Sequence, residues 1–321
     1  MIAAETVRLI DEIAARAKTY EGPTGTTTAP DALAPIVVSC GLGTDSVAML
    51  VWMKRQGIRP DAILFADTGV EMPHTYAYAE VLQEWLARVG FPALTIVRRT
   101  PVRVTYAPHH DLEGNCLTNA TLPSLAFGFK SCSLKWKVEP MDAWVKAHVA
   151  RIPGHKITRV IGYDASGKDL RRSKIAASPD FDYWYPLRDL GLTRPDLKDL
   201  LADEGLPQPF KSACFLCPAR QRDEVLALAI AYPELIDRAI AIEKTWADGR
   251  FGPAARELEG KKASTVGLGR KWSWTDFVAE HASQIAGARA AAKRDPEVAA
   301  KWELEAREAG AECPLAMAVA A

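Results

Sequence analysis

No excess of either charge marks this chain: its 321 residues carry 40 Lys and Arg against 40 Asp and Glu. A net charge of zero leaves no global field to draw the protein to nucleic acid or anionic lipid, although local basic patches remain available. No run of about 18 apolar residues occurs, which excludes a helical membrane span. Met1-Ile2-Ala3-Ala4-Glu5 lacks a basic start, so no secretory signal is expected. Cysteine is scarce, with six in the whole chain. In the cytoplasmic setting this implies, the thiols read as metal ligands, reactive groups or core residues rather than a disulfide framework. No fixed-period repeat is present, and no Gly-Lys-Ser/Thr closes a Walker A loop. What remains, 48% hydrophobic and 25% charged residues, is the composition of an ordinary globular protein large enough for a domain with an appendage.

Residues Thr6 to Tyr20 read as an amphipathic helix with Val7, Ile10, Ile13 and Ala14 on one stripe. Glu21 to Pro35 is rich in Gly, Thr and Pro and reads as a flexible connection. Strand and helix signals then alternate: strands at Ile36–Ser39, Ala62–Ala66 and Leu94–Val97, with helices at Ser46–Gln56 and Thr75–Val89. Such alternation predicts an α/β fold, a doubly wound and mainly parallel sheet whose strand C-termini line one ligand-binding edge. Residues 100–135 read as irregular, followed by a helix near Val138–Ala150 and a strand at Thr158–Gly162. From Arg222 the chain reads as a helical, Ala-rich C-terminal extension, broken at Gly249–Pro253 and Val266–Gly269. The boundaries drawn on this basis are 1–34 for a helix and linker, 35–220 for a nucleotide and cysteine domain, and 221–321 for the helical region.

The segment Ser39-Cys40-Gly41-Leu42-Gly43-Thr44-Asp45-Ser46 lies between two apolar runs, so a β-branched strand enters a glycine turn and a helix leaves it. Free backbone N–H groups and the positive end of the helix dipole then face a common point, where a phosphate can sit. Asp67 ends the second strand, within Asp67-Thr68-Gly69-Val70-Glu71-Met72-Pro73-His74-Thr75-Tyr76, and its position suits contact with a nucleotide or its magnesium; a helix cap or turn former is the plainer alternative. Further along come Cys132-Ser133-Leu134-Lys135-Trp136-Lys137-Val138-Glu139-Pro140-Met141, Tyr185-Pro186-Leu187-Arg188-Asp189, and Cys214-Phe215-Leu216-Cys217.

In this order the segments resemble the PAPS/APS reductase-like branch of the PP-loop ATP pyrophosphatase superfamily, over roughly residues 35 to 220. The loop is similar to that family's pyrophosphate loop, and Asp67-Thr68-Gly69 to its second signature. The segment at Cys132 resembles the Cys-Cys-x-x-Arg-Lys-Val-x-Pro-Leu motif of iron–sulfur APS reductases, with Ser133 where the second cysteine stands. The resemblance implies that Ser39, Gly41, Gly43, Thr44, Asp45, Ser46, Asp67, Thr68, Gly69, Gly162 and Arg171 or Arg172 bind ATP and Mg2+, with the arginines gripping phosphates by forked hydrogen bonds. A solvated loop is the equal alternative for both arginines. Lys135 and Lys137 carry the same ambiguity. His74, His109 and His110 are weaker candidates.

Soft thiolates hold iron–sulfur clusters and zinc, and the resemblance implies that Cys132, Cys214 and Cys217 hold a [4Fe–4S] cluster, with Cys116 as a candidate fourth ligand. Three other readings stay open: a metal-free redox or persulfide-carrying Cys214/Cys217 pair, a four-ligand zinc site, and ordinary buried thiols. Cys40 reads as a packing residue. Glu312-Cys313-Pro314-Leu315 is similar to the Glu-Cys-Gly-Leu-His tail of sulfonucleotide reductases, with Gly and His replaced.

The function these features imply is an ATP pyrophosphatase that activates an acceptor by adenylation for sulfur transfer, with Asp45, Cys132, Cys214 and Cys217 as its catalytic residues. DNA phosphorothioation is the favoured setting, a cysteine desulfurase the expected sulfur donor, and nucleic-acid-modifying proteins and a second copy of the chain the expected partners. An APS/PAPS reductase using Cys313, a tRNA thiolase and an inactive nucleotide-binding partner are the alternatives.

Overall fold

The computed structural model describes residues 4–16, 18–100, 110–129, 131–175, 178–260 and 265–308. They form two compact units that interleave along the chain. One comprises Met1–Ala66, Thr75–Val97 and Met141–Ser212, and the other Asp67–His74, Arg98–Pro140 and Ala213–Ala321. Residues 35–220, read as one domain from the sequence, therefore contribute to both.

The first unit is built on a parallel sheet. Strands β1 (Thr19–Glu21) and β2 (Thr26–Thr28) make a separate antiparallel hairpin, while β3 (Ile36–Ser39), β4 (Ala62–Ala66), β5 (Leu94–Val97), β6 (Ile157–Ile161) and β7 (Phe181–Trp184) form one sheet in the order β5-β4-β3-β6-β7. All four pairings in that sheet are parallel. Both faces are covered: Ile36, Val38, Ile63, Phe65 and Val160 join one apolar cluster, and Val37, Ala62, Leu64, Ala66 and Ile157 the other. This double burial explains why the strands read as continuous apolar runs rather than alternating ones. The order reverses between β3 and β6, so the switch point of the doubly wound sheet lies at the paired ends Ser39 and Ile161.

Strand boundaries predicted for β3, β4 and β5 match the structure, and the helices come out at Thr44–Arg55 and Pro73–Arg88. The first helix ends at Arg16, earlier than the amphipathic stripe suggested, because Thr19–Glu21 has become a strand. The connection predicted to be flexible holds the β1–β2 hairpin instead. Tyr20 and Thr27 are buried there, with Tyr20 edge-on to Trp52 and the Trp184 indole N–H donating to Thr27 Oγ1 at 2.6 Å. Strand β7 had no expectation at all.

The second unit is helical. Its core gathers Phe215, Leu216, Leu228, Ile236, Ile242, Trp246, Leu268 and Trp274 from the segments Arg222–Ala231, Pro233–Ala247 and Trp274–Glu280 and their connections. The stretch read as irregular contains a helix at Leu112–Thr118, capped by Asp111 accepting from Gly114 N–H, and a 3-10 turn at Ser124–Phe127. Among the described residues no helix is long and apolar enough to cross a membrane.

Candidate functional site

In the sheet unit, β3 leads into a loop with one strained residue. Leu42 adopts a left-handed φ of +57 with its side chain fully buried in the core, so packing offsets a backbone conformation that non-glycine residues rarely take. The Thr44–Arg55 helix starts at Gly43 with no side chain capping it, and its first amides have no preceding turn to bond. Ser46 clasps the loop from within, its hydroxyl accepting from Gly41 N–H at 3.2 Å and donating to Gly43 C=O at 3.0 Å. A methyl group at Gly41 would meet nothing within 4 Å, whereas one at Gly43 would press on Ser212 Oγ at 2.8 Å. Thr44 Oγ1 turns away to Pro209 C=O. Cys40 is buried beneath the loop, which pushes its thiol pKa up, as a packing residue should be.

Gly162 closes the other side of the switch point. A Cβ there would lie 2.8 Å from the Asp45 carbonyl oxygen and 2.9 Å from Ser46 Cα, so only glycine lets the end of β6 reach the loop. Asp45, at the helix start, is ion-paired with Arg194. Burial pushes its carboxyl pKa up, the Arg194 charge opposes this, and the charges of Asp164 and Asp169 add to it. Both of those carboxylates are buried; Asp164 accepts from Ser166 N–H at 2.9 Å and Asp169 from Arg172 at 2.9 Å. Arg172 also lies 4.8 Å over the Tyr163 ring, which stacks on Tyr185 with 5.7 Å between centroids. Arg172 is thereby tied to Asp169 of its own short helix, Gly167–Arg172, where Arg171 is exposed. Magnesium takes one or two carboxylates and completes its shell with phosphate oxygens and water; at this edge Asp45 would be such a donor, and it is held here by Arg194.

In the helical unit, Asp67 is committed to its own turn. Its buried carboxylate accepts from Gly69 N–H at 2.8 Å and from Arg98 Nε at 2.8 Å and Nη2 at 2.5 Å. Gly69 has a φ of +77, and a Cβ on it would strike Asp111 at 2.4 Å. Thr68 and Glu71 lie with the cysteine segment of the same unit. Glu71 Oε1 accepts from Lys137 Nζ at 2.8 Å and Thr68 Oγ1 at 3.0 Å, and the Cys214 thiol points at it from 3.7 Å. For Lys137, burial works against the charge, but the neighbouring Glu71 outweighs it and raises the pKa.

Four of the cysteines share this neighbourhood: Cys132 lies near enough to Cys116 and to Cys217 to bear on both thiols, and Cys217 bears on Cys214. Burial pushes the Cys214 and Cys217 thiols up and that of Cys116 to about 12. Among the described residues no three Cys, His, Asp or Glu side chains are grouped as a metal ion requires. A [4Fe–4S] cluster on Cys132, Cys214 and Cys217, with or without Cys116, does not fit that arrangement, and no step below is routed through one. Cys313 and His109 lie outside the described residues.

No family model and no curated protein sequence matches the chain. Among solved structures it is similar to the phosphate complex of phosphoadenylyl-sulfate (PAPS) reductase from Candida auris. The identity is 15%, the match covers 54% of this chain and 74% of that one, and the TM-score is 0.38. That likeness is too distant to assign a family.

Two site features escaped the motifs. Arg194 reaches Asp45 across 149 positions of sequence and sits in no phosphate-binding pattern. Glu71 stands inside the Asp-Thr-Gly segment, but only the isolated bridge between Glu71 and Cys214 brings it to the thiol.

Proposed function

We propose that this chain is an ATP pyrophosphatase that adenylates an acceptor for sulfur transfer in nucleic-acid modification, with DNA phosphorothioation as its setting. One observation carries the reading: an uncapped helix start and a glycine-only contact meet at the switch point of a parallel sheet, where phosphates bind. The loop amides and the helix dipole receive the β- and γ-phosphates and stabilise the charge that builds there as pyrophosphate departs. Gly162 lets the two strand ends close on the phosphates, and Arg172 offers a forked donor from the neighbouring turn. Bound magnesium supplies counter-charge to the phosphates. An acceptor oxygen attacks the α-phosphorus, the bond to the bridging oxygen breaks, and the acceptor is left carrying AMP. A persulfide charged by a cysteine desulfurase attacks the adenylated centre, and AMP departs with the acceptor oxygen. A second thiol then cleaves the S–S bond, leaving the sulfur on the acceptor and the two thiols as a disulfide, which an external dithiol reduces. Cys132, Cys214 and Cys217 are the candidate thiols for that sulfur, supported by their common neighbourhood.

The choice of DNA as acceptor rests on the resemblance of Asp67-Thr68-Gly69 and Pro186-Leu187-Arg188-Asp189 to the PAPS-reductase branch. A loop that recognises phosphates suits APS or PAPS equally well, so a sulfonucleotide reductase is the second reading. Incubation with ATP and Mg2+ is expected to release pyrophosphate, and Asp45→Ala to abolish that release. Sulfite from APS or PAPS with a dithiol reductant, and no pyrophosphate from ATP, would replace the first reading with the second.

A further inference from the structure

Asp45 stands where the Thr44–Arg55 helix should welcome an anion, and Arg194 is ion-paired to it there. The charges of Asp164 and Asp169 act on Asp45 from buried positions. A polyphosphate entering the loop meets the Asp45 carboxylate at the helix start, and like charges repel. Two arginines relieve this repulsion. Arg172 is bonded to Asp169 and stacked on Tyr163, so it is held in place. Arg194 is as half-exposed as Arg172, but among the described residues it has no aromatic ring beneath it; it reaches Asp45 through Nη1, leaving the other N–H donors of its fork. Its backbone does not move easily, because it opens the Arg194–Asp203 helix behind a reciprocal cap between Thr193 and Asp196. The side chain is therefore a half-exposed charge on a fixed base.

We infer that Arg194 is a positioning residue that exchanges partners: it neutralises Asp45 in the free protein and passes to the phosphates when magnesium takes Asp45. The inference rests on the reading of the Ser39–Ser46 loop as a phosphate site. Arg194 and Mg2+ compete for one carboxylate, while Arg194 and the loop amides cooperate on one anion. Removing the arginine thus has opposite effects on the two ligands. A salt bridge that serves only stability would not separate them.

The test is calorimetric titration of the full chain with inorganic pyrophosphate at a series of Mg2+ concentrations, for the wild type, Arg194→Ala and Arg194→Lys. Arg194→Ala is expected to weaken pyrophosphate binding at saturating Mg2+ about tenfold, the scale of one charge-assisted contact. It is also expected to lower the Mg2+ concentration giving half-maximal binding. Arg194→Lys should recover part of the pyrophosphate affinity, since it keeps the charge but loses the fork. Unchanged pyrophosphate affinity in Arg194→Ala, or a higher Mg2+ requirement, overturns the exchange. Failure of the wild type itself to bind pyrophosphate would instead remove the phosphate reading of the loop, and the exchange with it.

Discussion

Gly162 and Glu243 show how a single atom decides a position. At Gly162 the missing Cβ is what lets β6 approach the backbone of Asp45 and Ser46. Gly162→Ala is expected to push the loop from its helix and cut pyrophosphate affinity at least tenfold, read by the same calorimetry, while far-ultraviolet circular dichroism stays unchanged. Wild-type affinity in that variant would show that the contact is not needed. Glu243 is buried, and its two oxygens accept from Leu268 N–H at 2.6 Å, Trp274 N–H at 3.0 Å, Ser273 Oγ at 3.0 Å, and the Thr275 N–H and hydroxyl at 2.6 Å each. Gly267 has no room for a side chain because its Cβ would fall 2.1 Å from Glu243 Oε1. Replacing one acceptor oxygen by an amide NH2 sets donor against donor. Glu243→Gln should therefore destabilise the helical unit by about 2–4 kcal/mol, seen as a lower urea midpoint. Neither role is visible in the local sequence. Gly162 could be named from motif resemblance, whereas Glu243 reads as one more charged residue on a helix.

At the scale of elements, the Thr44–Arg55 helix is held at both ends. Its start carries the loop, and near its end Lys54 donates to both oxygens of Glu204 at 3.0 and 3.1 Å, while the Trp85 indole N–H adds a third bond at 3.1 Å. Burial alone would raise the Glu204 pKa, but the bonds from Lys54 and Trp85 prevail and hold it below the ordinary glutamate range. A depressed carboxylate contributes stability that is present above its ordinary value and lost as pH falls through its folded value. Glu204→Gln is accordingly expected to lower stability at pH 7 by about 0.5–1 kcal/mol, given the exposure of Lys54, and to flatten the decline between pH 5 and pH 3. Parallel thermal melts of both proteins across that range check it, and an equal acid decline in the variant would contradict it. Elements differ in how far they could be read ahead. Strands β3 and β4 are runs of buried β-branched and apolar residues with no competing signal. Strand β7 is four residues long and carries three aromatics, one Asp and no alternation, so only pairing with β6 makes it a strand. The β1–β2 hairpin is polar and threonine-rich, and Thr27 Oγ1 holds it by accepting from the Trp184 indole and donating to Asp189.

For the whole molecule, the apolar cores are separate: two clusters sandwich the sheet in the first unit, and a third fills the helical unit. A ligand that binds one core's edge stabilises that fold by mass action, about 2.7 kcal/mol at a hundred times its dissociation constant. Pyrophosphate with Mg2+ is therefore expected to slow amide hydrogen exchange in peptides from residues 36–55 and 157–203, with little change in peptides from 222–308. Equal protection of both sets would show that the ligand is not confined to the sheet unit.

The sequence by itself determined the parallel sheet, the strand–loop–helix at Ser39–Ser46 and the presence of paired cysteines. These follow from backbone preferences and hydrophobic periods that act within a few residues of one another. Tertiary structure alone decided that the chain divides into two interleaved units, that Asp67 spends its carboxylate on Gly69 and Arg98, and that Cys214 faces Glu71 rather than a ring of ligands. It also decided what the loop at Ser39–Ser46 is bordered by. Charge acts through space, so the carboxylates of Asp164 and Asp169 and the guanidinium of Arg194 bear on Asp45 from far along the chain, where no local pattern could announce them.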